Sequence, residues 1–408
     1  MMRRLLALLL SATLGLALAG AAREPRRPEA EQLEFLTRHW RLPIPPQGAP
    51  PARFTPLEAS LQPESCGTCH PAQFADWQTS LHAKSMGPGV TGQLVEMVES
   101  DPASALHCYT CHAPLAEQQP KVEDGKGGYA VNRGFDPKLE TRGLACAACH
   151  VRRHQRFGPP KRDGSLASEL PREKLPHNGV TRTPAFLRAE FCKDCHQFPP
   201  DGFALNGKLL ENTYNEWKAG PYGRRGVQCQ ECHMPDRRHL WRGIHDPSMV
   251  RSGVTITLVT DRERYDPGQR VTATLTITNS RVGHSFPTYV TPRVVARVEL
   301  RDARDRLVPG SREERVIARE VSPDLSRELA DTRLAPGQSL TFAYRRELPG
   351  RGLRLKAVVT VYPDHFYTGL FESLLAQGAG KGTAQIRDAL AATRRSSFVL
   401  YEKELPLT

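Results

Sequence analysis

The sequence predicts two parts in series: a mainly α-helical and irregular segment built around five Cys-x-x-Cys-His pentapeptides, then an all-β sandwich of the immunoglobulin-like type. Three observations carry this expectation. All ten cysteines of the 408-residue chain lie in the pentapeptides. After Met249 the apolar residues change to a period of two. The chain opens on an arginine pair and an apolar run, the pattern of an export signal.

Composition narrows the class. The chain has 56 Lys and Arg against 44 Asp and Glu, a net charge of +12, with 39% hydrophobic and 25% charged residues. This balance excludes a polytopic membrane protein and wholesale disorder.

In chain order, Arg3 and Arg4 precede the apolar run 5–18, and Ala17/Ala19 or Ala19/Ala21 offer a processing site. Residues 1–21 therefore read as a signal peptide, and the expected location is the periplasm or, after export, the cell surface. No cysteine follows the run, which argues against a lipoprotein anchor. Residues 22–63, rich in Pro, Arg and Ala, read as a surface-hugging lead-in with a short helix near 29–39.

Residues 64–250 hold the pentapeptides: Cys66, Cys69 and His70; Cys108, Cys111 and His112; Cys146, Cys149 and His150; Cys192, Cys195 and His196; Cys229, Cys232 and His233. This is the attachment spacing of c-type haem. Two thiols on one helical turn form thioethers with the two vinyl groups, and the imidazole that follows reaches the iron from that side. Zinc sites and disulfides also use paired cysteines, but neither explains a histidine after every pair. Five covalently attached haem c groups are expected. First cysteines are 42, 38, 46 and 37 residues apart, so there is no solenoid repeat. With 36 residues per haem between Cys66 and His245, the porphyrins must form much of the core. Their propionates also offset the basic excess, so a nucleic-acid footprint is not expected.

Of fourteen histidines, nine remain for the opposite axial positions. Met86, Met97, Met234 and Met249 are the thioether alternatives, and the supply of imidazole favours bis-histidine irons. His177 lies in a Pro/Gly-flanked loop ahead of the fourth haem motif. His239 and His245 bracket 240–244 just after the fifth, and Gly243 lets the chain turn between them. His284 interrupts a strand pattern in Gly-His-Ser-Phe-Pro-Thr. His107, His154 and His365 are weaker candidates, and His39 is expected to be solvated.

The segment Cys66 to Ser85, CGTCHPAQFADWQTSLHAKS, resembles the opening of multihaem c-type cytochromes of the cytochrome c554 kind, with a W-x-x-S-x-H run after the first haem site. In that family the histidine is a distal ligand of a different haem. Here the resemblance assigns that role to His82, on a helix expected over 72–84. QCQECHMP, HLWRGIHDPSMV and GHSFPT are similar to related cytochromes that end in a β-domain, so the resemblance covers most of 64–290.

Residues 251–408 alternate at Val254/Ile256/Leu258, Val271/Ala273/Leu275/Ile277, Val294/Ala296/Val298/Leu300, Leu340/Phe342/Tyr344 and Leu353/Leu355/Ala357/Val359/Val361. Asp266-Pro267-Gly268 and Ala335-Pro336-Gly337 mark turns. Helical periodicity at 366–377 and 384–393 precedes a last strand near 398–401. No catalytic constellation is visible in this part.

The functional expectation is an exported electron carrier of five closely packed, mostly bis-histidine haems, in a respiratory or extracellular chain. Its expected partners are redox proteins or a quinol-linked membrane oxidoreductase, with self-association possible. Two alternatives stay open: an oxidoreductase acting on a small nitrogen or sulfur species at one five-coordinate haem, and a subunit of an extracellular cytochrome filament. Against the first, no site has the Cys-x-x-Cys-Lys form.

Overall fold

Proline opens many of the helices in the first part, where its missing N–H is no loss and its fixed φ suits the first turn: Pro63–Cys69, Pro71–Thr79, Pro88–Ser100 and Pro102–His112. Three further pentapeptides close short helices at Cys146–His150, Glu190–His196 and Cys229–His233. These elements belong to a computed structural model that describes residues 27–407. The expected signal peptide, 1–21, lies outside the described residues. No helix among the described residues is long and apolar enough to cross a membrane.

Between the short helices, apolar packing is thin and divided. One small cluster joins Leu36, Trp40, Ile44, Leu115, Leu139 and Val151, another Met86, Leu94 and Tyr109, and a third Ala189, Tyr214 and Trp217. Two expectations are corrected here. The lead-in is not surface-hugging: helix Arg27–His39 and the turn after it place Leu36, Trp40 and Ile44 in the core. His39 is not solvated. It is 3% exposed, its Nε2 lies 2.9 Å from the Cys149 carbonyl, and Phe35, Trp40, Phe157, Phe186 and Phe191 surround it.

The second part is built from eight longer strands: β1 (Val254–Thr260), β2 (Arg270–Asn279), β3 (Arg293–Arg301), β4 (Glu313–Val321), β5 (Glu328–Asp331), β6 (Ser339–Glu347), β7 (Arg354–Tyr362) and β8 (Phe398–Pro406). They form two antiparallel sheets, in the orders β5-β4-β3-β7-β8 and β6-β2-β1. Alternation puts Val294, Ala296, Val298 and Leu300 of β3 opposite Val361, Val359, Ala357 and Leu355 of β7. With Val271, Ala273, Leu275 and Ile277 of β2, these side chains make one core between the sheets. Each fully buried Val, Leu or Ile there contributes roughly 1.5–3 kcal/mol. Helices His365–Gln377 and Thr383–Arg395 connect β7 to β8 and pack together on Phe371, Ile386 and Leu390.

β4 and β5 were not expected from the sequence, and they form the seam between the two parts. Ile317, Ala318 and Arg319 are buried in succession, which breaks the period of two. Arg319, 1% exposed, donates to the carbonyls of Leu205, Lys208 and Leu209 and pairs with Glu328 at 2.9 Å. Those carbonyls belong to a hairpin of Ala204–Leu205 and Lys208–Leu209, turned by Asn206 and Gly207, both left-handed at φ 52° and 69°. Lys208 adds bonds of 2.6 Å to Glu328 and Asp331. Arg333 joins Glu216 of the first part to Asp331 of the second.

Candidate functional site

All ten cysteines are free thiols, and each pentapeptide spans at most about one helical turn with its histidine at or just beyond the helix end. Thiols of different pentapeptides meet. Cys66 lies beside Cys146, Cys111 beside Cys195, and Cys192 beside Cys229, close enough to act on one another electrostatically. Cys149 acts electrostatically on both Cys192 and Cys195. The first site therefore neighbours the third, the third the fourth, and the fourth both the second and the fifth.

The histidines meet in pairs. Ring centroids are 6.2 Å apart for His82 and His196, 6.2 Å for His150 and His239, and 6.3 Å for His233 and His284. Two imidazole nitrogens each about 2.0 Å from one metal leave ring centres roughly 6 Å apart, so each pair fits a single iron between its rings. Each pair joins a pentapeptide histidine to one from elsewhere in the chain. His70 acts electrostatically on His177, as it does on His150 and His239, and makes no ring contact with another imidazole among the described residues.

The ring orientations agree with this use. Nδ1 lies 2.7 Å from the Ser85 carbonyl in His112, 2.8 Å from Phe157 in His150, and 2.7 Å from Arg242 in His233. In His239, His284 and His177 it lies 3.1 Å from Arg237, 2.9 Å from Ser285 and 3.2 Å from Gly179. A carbonyl at Nδ1 fixes the proton there and leaves Nε2 as the free ligand atom. Burial, followed by nearby His196 and His233, pushes His82 down to about 3; burial takes His150 and His196 down to about 4. The rings are therefore neutral, the form that binds metal.

Each distal ring is held locally. Helix Pro71–Thr79 stops short of the expected 84, because Ser80 N–H and Oγ both bond the Trp77 carbonyl. His82 thus sits in the following turn, its carbonyl accepting from Leu144 N–H and Ser85 Oγ. Asp76 takes both arms of Arg238 and, at 3.0 Å, the His239 N–H, fixing the turn that carries His239. Glu58 accepts the His177 N–H at 2.7 Å. Asn279 donates to the His284 carbonyl, and Glu216 accepts Ser285 N–H.

The other histidines lie elsewhere. His245 turns its Nε2 to Asp364 Oδ1 at 2.9 Å, and among the described residues no ring contact joins it to another imidazole. The same is true of His112. His154 occupies a hairpin turn, not a helix, with Nε2 on the Gly48 carbonyl at 2.9 Å. His107 and His365 are exposed.

Sequence reasoning did not single out Trp241, whose ring lies 4.7 Å from His82 and 5.2 Å from His239, between two distal histidines. Nor did it find Asp76, Glu211 or Tyr289. Their roles depend on partners far along the chain, and no local pattern signals them.

A fold that brings imidazoles together in pairs beside free Cys-x-x-Cys thiols defines a multihaem c-type cytochrome, and comparison with known proteins supports that class. The family model described as cytochrome c554 and c-prime matches residues 65–151. The chain is 27% identical over 198 residues to cytochrome c-552 of Aliarcobacter butzleri, covering 46% of this chain and 37% of that protein. It is 28% identical over 144 residues to cytochrome c-554 of Nitrosomonas europaea, covering 33% and 55%. The matches thus span less than two thirds of either relative. A penta-heme cytochrome c552 from Thermochromatium tepidum shares the fold, with a TM-score of 0.56, 18% identity, and coverage of 86% of this chain and 100% of that one.

Proposed function

We propose that the protein is an exported pentahaem electron carrier working in the periplasm or at the cell surface, with an immunoglobulin-like sandwich as its second part. The observation that carries this reading is the set of three imidazole pairs at 6.2–6.3 Å. Bound haem supplies a one-electron iron couple whose potential depends on axial ligands and burial. The chain's own residues would supply two imidazole nitrogens to each of four irons, and rigid ligation of this kind suits electron passage. We assign His70 and His177 to the first site, His150 and His239 to the third, His196 and His82 to the fourth, and His233 and His284 to the fifth. The contacts between thiols support one connected path from the first site through the third and fourth to the fifth, with the second beside the fourth. Partners are redox proteins or a quinol-linked membrane oxidoreductase. The reduced holoprotein is expected to take up five electrons in a potentiometric titration and to be reoxidised quickly by a small redox protein. Failure to exchange electrons with any small redox protein, alongside sustained nitrite or hydroxylamine turnover, would overturn the assignment.

A second reading attaches to the second site. His245 spends its Nε2 on Asp364, and His112 is anchored at Ser85 without a second imidazole among the described residues. That iron is left able to bind a small ligand. One carbon monoxide per reduced chain is the expected stoichiometry, and its absence removes this reading.

A further inference from the structure

His196 departs from the pattern of the other anchored imidazoles, because its Nδ1 meets a side chain and not a carbonyl, and that side chain comes from the second part of the protein. Tyr289, in the loop between β2 and β3, places its hydroxyl 2.9 Å from His196 Nδ1. The Tyr289 hydroxyl also lies beside the Thr213 side chain. Thr213 Oγ1 lies 2.9 Å from Glu211 Oε1 and 2.9 Å from Thr288 Oγ1, and Thr288 donates to Glu216 Oε2 at 2.9 Å. Five contacts thus run from His196 to the two glutamates.

Each contact needs one hydrogen. His196 Nδ1, Tyr289, Thr213 and Thr288 bring one apiece. Thr288 gives its own to Glu216 and Thr213 gives its own to Glu211, which leaves Tyr289 to give its own to Thr213. The contact between the two threonine hydroxyls then lacks a hydrogen while Glu211 is a carboxylate, and a proton on Glu211 frees the Thr213 hydrogen to fill it. The surroundings agree: Glu211 is faced by the Thr213 hydroxyl, Cys111, Glu216, Tyr289 and Tyr367, none of them a cation. Burial pushes its carboxyl up to about 8, and burial likewise raises Tyr289, keeping it a neutral phenol.

We propose that Tyr289 is a positioning residue for His196, and that through Thr213 it links the iron site at His196 to Glu211, the group that gains a proton as that site gains an electron. This rests on the haem reading above. The balance is simple. One electron arrives from a reduced redox protein, one proton passes from water to the Glu211 carboxylate, one O–H bond forms, and the local charge is unchanged.

The test is potentiometric titration of the holoprotein followed by its optical spectrum, repeated between about pH 6 and 9. In the wild type one haem is expected to lower its midpoint potential as pH rises. Glu211→Gln keeps a neutral hydrogen-bonding group and is expected to abolish that slope. Tyr289→Phe removes the acceptor that raises the basicity of His196, so the same haem is expected to shift to a more positive potential. A wild-type slope in Glu211→Gln, or unaltered potentials in Tyr289→Phe, overturns the proposal. Intact mass of each variant keeps the two readings apart, since a chain without covalent haem contradicts the haem assignment itself.

Discussion

At the scale of single residues, the sites depend on imidazoles kept neutral and aimed. His284 reaches the first part of the protein from a loop of the second, and its ring lies within 11° of parallel to His233. Replacing His284 with Ala is expected to leave one iron without its second imidazole, so that the low-spin ferric count falls by one per chain. Replacing His245, which bonds Asp364, is expected to leave that count unchanged. Electron paramagnetic resonance of the two variants checks both. His39 supports a prediction about acid. It is buried, not paired to an iron in our assignment, and pushed down to about 3, chiefly by burial and then by the nearby Arg152 charge. Below its unfolded value of 6.5 the unfolded chain binds a proton that the folded chain refuses, so stability falls as pH drops from 6.5 toward 3. The loss is roughly 2 kcal/mol at about pH 5. His39→Gln is expected to flatten this acid limb in denaturant titrations of the holoprotein, and an unchanged limb would remove His39 as its source.

At the scale of elements, the seam between the parts keeps the loop carrying His284 and Tyr289 in place. Arg319 is the buried charge at its centre, satisfied by Glu328 and three carbonyls of one hairpin. Removing one partner of a buried pair costs about 3–5 kcal/mol, because the other is left uncompensated. Arg319→Ala is expected to lower unfolding free energy by that amount in chemical denaturation. Arg319→Met with Glu328→Leu should lose much less, and equal losses would show that the carbonyl bonds matter more than the charge pair.

These elements also show what could be read from sequence. β1, β2, β3, β6 and β7 each have one face in the sandwich core, so apolar residues at every second position mark them, and the two helices before β8 show their period equally well. β4 could not be read this way, because Ile317, Ala318 and Arg319 bury successive side chains against both the core and the hairpin. The attachment cysteines and their histidines stand in a local motif and were legible outright. The distal histidines were legible as a set of candidates, through loop context and resemblance. Which ring meets which was not, because His82 with His196 and His233 with His284 are separated by 114 and 51 positions. His39 looked like part of a polar lead-in because the aromatic box around it comes largely from residues 157–191.

For the whole molecule, the account predicts a chain whose small apolar clusters in the first part are completed by haem, while the second part has a continuous core of its own. Haem removal should therefore unfold the first part and leave the β strands. Far-ultraviolet circular dichroism of protein made without haem attachment is expected to retain strand signal, and loss of both signals together would show that the sandwich depends on the haems. The central claim is that paired imidazoles make this protein an electron relay. Electron paramagnetic resonance of the fully oxidised holoprotein, integrated against haem content, tests it most directly. The account predicts four low-spin ferric irons per chain from the four assigned pairs, three of them in ring contact, with one high-spin iron at His112; fewer than four low-spin irons would contradict it.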